Sequence, residues 1–87
     1  MRITSKHLDT QVRQLNNMLN QNPDPYTNSK ANIGTYYIDS AYGAYRVVRL
    51  VSESGGIEDT SPRGSARETY TFILDMLHGI AAANNNQ

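Results

Sequence analysis

Between Ile33 and Val51 the chain reads IGTYYIDSAYGAYRVVRLV, its longest β-favouring run, with four of the six tyrosines and two arginines. Branched and aromatic side chains suit a pleated, half-buried surface. Ser40-Ala41-Tyr42-Gly43 offers a turn in which Gly43 is free to take positive φ. The pattern predicts a hairpin, with a first strand over Ile33 to Asp39 and a second over Ala44 to Ser52. In the second strand Tyr45, Val47, Arg49 and Val51 fall on one side and Ala44, Arg46, Val48 and Leu50 on the other. A sheet with one wet face reads apolar on one side and polar on the other. Here each side is mostly apolar and each carries one arginine, so this hairpin needs cover on both faces.

The flanks supply cover for one face. Leu8, Val12, Leu15 and Leu19 recur at helical spacing after Thr4 or Ser5, either of which can cap a helix start. Pro23 and Pro25 stop that helix near Asn20. The connection from Asn20 to Asn32 is long for a small domain and reads as an ordered loop anchored by Tyr26. After the hairpin, Ser52-Glu53-Ser54-Gly55-Gly56 is a turn by composition. Ile57 to Thr60 reads as a short third strand. Ser65-Ala66-Arg67-Glu68 has the spacing of a capping box, opening a second helix to about Gly79. The fold class that follows is α+β, in the order α-β-β-β-α: a small antiparallel sheet with two helices packed on one face. Residues 1–83 form one domain and 84–87 a polar tail. The second face, with tyrosines and an arginine, is left for a second subunit, a ligand or a nucleic acid.

A chain of 87 residues buries only about 60% of its unfolded surface, so completion by homo-oligomerisation is expected. Phe72 and Met76 point sideways from the sheet-facing stripe of the last helix and are the candidate oligomer contact. There are no cysteines, and eight basic residues balance eight acidic ones. That excludes disulfides and any bulk field toward nucleic acid or membranes. No run reaches the roughly 18 apolar residues of a membrane span, and MRITSKHLDTQ lacks a secretory h-region. The expectation is a cytoplasmic protein with no membrane partner.

Catalytic motifs are missing: neither His7 nor His78 lies in a pattern that supplies a nucleophile or a metal partner. Glu53, Glu58 and Asp59 lack the alternation of a calcium loop. The expectation is no enzyme, no metal and no cofactor. Anion binding is the richer candidate. Arg63 and Arg67 flank the start of the last helix, where free N–H groups favour negative charge. Arg46 and Arg49 lie among Tyr36, Tyr37 and Tyr45, whose rings could stack on a base. The alternative is that these arginines form ion pairs with Glu53, Glu58, Asp59 or Glu68.

Two resemblances bear on function. The order α-β-β-β-α, with Gly64-Ser65-Ala66-Arg67 opening the last helix, is similar to the double-stranded-RNA-binding domain. That likeness is topological. Here Glu68 follows the arginine and net charge is zero, whereas phosphate contacts dominate nucleic-acid affinity. Asp39-Ser40-Ala41-Tyr42-Gly43, Ser54-Gly55-Gly56 and Arg67-Glu68 together resemble a family of small, mostly uncharacterised proteins of tailed phages and prophages. That resemblance covers most of the chain and implies a phage protein acting inside a bacterium. The leading expectation is a non-enzymatic accessory protein that binds a host-derived partner and counters host defence. Sequestering an anionic nucleotide is one way; engaging a host defence protein is another. The alternatives are a nucleic-acid-binding domain and a protein-interaction or virion-assembly module.

Overall fold

A computed structural model describes residues 2–85. Helix α1 (Ser5–Met18) starts at Thr4, whose backbone N–H donates to His7 Nδ1 at 3.0 Å. Its stop precedes the prolines. Asn20 takes a left-handed conformation at φ 58°, and Gln21 N–H donates back to the Asn16 carbonyl at 2.8 Å. That is the usual closure of a helix C-terminus, with asparagine in the place glycine often holds. Leu8, Val12 and Leu15 are buried.

The long connection contains structure that its composition did not announce. Strands β1 (Tyr26–Thr27) and β2 (Lys30–Ala31) pair antiparallel around Asn28 and Ser29, both at positive φ. Two left-handed residues make the turn whose twist matches paired strands. Tyr26 is therefore a strand residue, half exposed at 49%, with its hydroxyl close against Gly55.

The central hairpin pairs β3 (Tyr36–Ala41) with β4 (Ala44–Leu50), and β5 (Ile57–Asp59) adds to β4. The turn is tighter than the expected four residues: Tyr42 (φ 53°) and Gly43 (φ 75°) alone make it. Beyond β5 the ladder continues by other means. Ser61 Oγ accepts from Val47 N at 2.8 Å, and Gly64 exchanges two 2.8 Å backbone bonds with Tyr45.

Helix α2 (Ala66–Asn85) opens on the expected capping box. Ser65 N donates to Glu68 Oε1 at 3.0 Å, and Glu68 N donates to Ser65 Oγ at 3.1 Å. It does not end at Gly79. Ile80 and three alanines that follow favour helix more than one glycine disfavours it, and the helix runs through Asn84 to Asn85. Of the predicted tail, Asn86 and Gln87 lie outside the described residues.

Cross-strand partners share a face, so the register fixes the two sides. Tyr36, Ile38, Tyr45 and Val47 face the helices and join Leu8, Val12, Leu15, Ile73 and Leu77 in the main core. Val48 and Leu50 are on the opposite side, yet both are fully buried. Residues 20–35 reach that side. Ala31 N–H donates to the Glu53 carbonyl at 3.4 Å, and a Cβ on Gly55 would stand 3.0 Å from the Tyr26 hydroxyl. Two helices cover one face, as expected, and the chain's own β1–β2 segment covers part of the other.

Candidate functional site

Toward the hairpin tip the second face is charged. Asp39 and Arg46 are direct cross-strand partners, and Arg46 Nε donates to Asp39 Oδ2 at 2.8 Å. Arg46 Nη1 also pairs with Asp59. Arg63, held over the strands because Gly64 bonds Tyr45, donates from Nη2 to the same Asp39 oxygen at 2.8 Å. The hydrogen bond from Arg46, then that from Arg63, holds the Asp39 carboxyl below the usual carboxylate range. Two arginines and two aspartates leave this patch electrically neutral. On the helix side Arg49 pairs with Glu58 at 3.3 Å, and Arg67 is engaged as well.

The predicted ligand-binding residues therefore do not converge on one site. Tyr36 and Tyr45 pack into the main core, while Tyr37 lies on the other face. Burial pushes the Tyr37 phenol pKa up, and neighbouring Tyr26 adds to it. Arg46 and Arg63 share Asp39, and Arg49 stands on the opposite side of the sheet. The start of α2, read as an anion site, is occupied from within. Glu68 accepts the Ser65 N–H that an anion would take, and that bond lowers its carboxyl pKa. The hollow beside it, between Arg63, Glu68 and Phe72, holds about 60 Å³, well short of the several hundred typical of small-molecule sites. Phe72 and Met76 are half-buried against the main core and do not stand clear of it. Among the described residues no group of three His, Cys, Asp or Glu side chains could hold a metal ion.

A roomier opening lies elsewhere. A cleft of about 300 Å³ runs between α1, the proline segment and β3. Asp9, Val12 and Arg13 form one wall, and Pro23 and Pro25 the other. The floor is Tyr36, Tyr37 and Ile38, three consecutive residues of one strand. Side chains of alternating face can line one cleft only where it follows the strand's edge. The proline wall is pinned: Asn32 Nδ2 donates to the Asp24 carbonyl at 2.7 Å, and Thr35 Oγ1 donates to the Asn22 carbonyl at 2.9 Å.

The edge itself is half closed. Asn16, fully buried on α1, donates from Nδ2 to the Tyr36 carbonyl and accepts from Tyr36 N–H, both at 2.9 Å. Its amide imitates a neighbouring strand for one residue. Tyr36 thus points its backbone groups away from β4, and by alternation so do Ile38 and Ser40. Neither Ile38 nor Ser40 has a backbone partner on that side among the described residues. Asn16 and Ile38 were not singled out from the sequence. The available signal was an asparagine at i+4 from Val12, inside the apolar stripe.

Compared with protein-family models, with curated proteins and with solved structures, the chain matches none. The folded molecule must speak for its own chemistry. No described helix is long and apolar enough to cross a membrane.

Proposed function

We propose that this chain is a non-enzymatic accessory protein of a phage that binds a host-derived protein and so counters host defence. The phage-protein resemblance supplies the setting. The observation that carries the choice of a protein partner is the 300 Å³ cleft along the open side of β3, floored by Tyr36, Tyr37 and Ile38 and walled by prolines on one side and by Asp9, Val12 and Arg13 on the other. Aromatic, weakly charged surfaces are what protein interfaces use at their centres. Capture of an anionic nucleotide is less well supported by the geometry. Such a ligand would have to displace Asp39 from two guanidinium groups, and Glu58 from a third. A nucleic acid meets the same carboxylates on a chain of zero net charge.

A photo-crosslinking side chain placed at Ser40, compared with one at exposed Thr71 on α2, tests this in the host bacterium. The expected result is one discrete protein adduct from position 40 and none from 71. Equal labelling from both positions, or a nucleotide that raises the melting temperature while position 40 labels nothing, would overturn it.

A further inference from the structure

We propose that the outer edge of β3 accepts an extended segment of the partner protein as an added strand, with an apolar side chain seated in the cleft and a basic side chain beside Asp9. This rests on the protein-partner reading above and names its chemistry. Ile38 and Ser40 each offer one N–H and one C=O outward, about 6.8 Å apart along the strand. A second extended backbone satisfies all four groups at that spacing, which is how strand addition gains affinity. The cleft begins where those groups begin. Its floor at Tyr36 and Ile38, with Val12 and Pro25 as walls, is apolar enough to receive one side chain of the added strand.

Charge selects among occupants. Arg13 on the cleft wall is paired with Asp24 at 3.4 Å, whereas Asp9 has no ion pair among the described residues. The cleft therefore carries one uncompensated negative charge, which a lysine or arginine of the partner complements. One register of pairing with a second copy of this chain is disfavoured on separate grounds. Antiparallel self-pairing that joins Ile38 to Ser40 of the other copy sets Asp39 directly opposite Asp39. Each Asp39 is already held by Arg46 and Arg63, so two such clusters would crowd each other there, because side chains in a non-hydrogen-bonded pair stand closest.

The experiment is selection of random linear peptides on the whole protein, followed by amide exchange on the protein with and without each enriched peptide. Enriched peptides should pair an apolar residue with a nearby lysine or arginine, and should slow exchange at Ile38 and Ser40. Methylating the peptide nitrogens that bond to β3 should weaken binding about tenfold. Ser40→Pro should weaken it similarly while keeping the native amide spectrum, since the Ser40 N–H points away from β4. If that variant unfolds, the methylated peptides decide alone. Binding without protection at Ile38 and Ser40, indifference to methylation, or no enrichment at all would overturn strand addition. So would a dimer in which those amides are already protected. A position-40 adduct persisting in the host after any of these results would leave protein docking intact and remove only its strand-addition form.

Discussion

Asn16 and Asp39 each hold two groups that would otherwise compete for water. The Asn16 amide closes both backbone groups of Tyr36 in a fully buried position. Asn16→Ala should lower stability by about 1–3 kcal/mol, because it leaves a part-buried donor and acceptor on Tyr36 unpaired; urea denaturation measures this. Asp39 acts through charge. Its carboxyl pKa is lower in the folded chain than in the unfolded one. Its stabilisation is therefore complete above the ordinary carboxylate pKa of about 4 and is lost as pH falls through the lowered folded value. Asp39→Asn should cost roughly 1 kcal/mol at neutral pH, given partial exposure. The gap between the urea midpoints of variant and parent should narrow progressively below about pH 4. A constant gap would show that the pair with Arg46 and Arg63 contributes packing and not charge.

At the scale of elements, the β3–β4 turn places a fully exposed tyrosine, Tyr42, in the left-handed region at φ 53°. Asparagine tolerates that conformation better, so Tyr42→Asn should raise stability by about 0.5–1 kcal/mol in thermal or urea unfolding. Both helices, the hairpin and the third strand were legible in the sequence, the helices and the hairpin through strong local signals: the Leu8–Val12–Leu15 period, the Ser65–Glu68 box and the Ser40–Gly43 turn. The small β1–β2 hairpin was not. Two-residue strands have no period to detect, and Asn28-Ser29 is a weak turn signature beside two prolines. The end of α2 was misplaced because Gly79 is a frequent stop, and the alanines beyond it outweigh that preference. The candidate site was legible mainly in its alternative. Arg46, Arg49 and Arg63 were visible as cations, but their carboxylate partners depend on register, and one residue of slip reverses every assignment.

For the molecule as a whole, the two-sided hairpin is satisfied by two different means. Helices cover Val47 and its neighbours, and residues 20–35 reach the side on which Val48 and Leu50 are buried. Leu50→Ala should therefore cost about 2–4 kcal/mol, as in a true core, because Leu50 is fully buried outside the main helix-covered cluster. A loss under about 1 kcal/mol by chemical denaturation would mean the segment covers that face only loosely.

The packing of α1 against α2 has a consequence for how the chain is made. Synthesis proceeds from the N-terminus, and domains fold as units. The apolar stripe of α1 emerges early and waits for Ile73 and Leu77, which come late. Residues 20–35 likewise precede Leu50, Glu53 and Gly55, the groups they dock against. A ribosome halted before α2 would therefore carry a hairpin and a helix without a core, open to proteases. Chains released after truncation on either side of Leu77 should differ sharply in protease resistance.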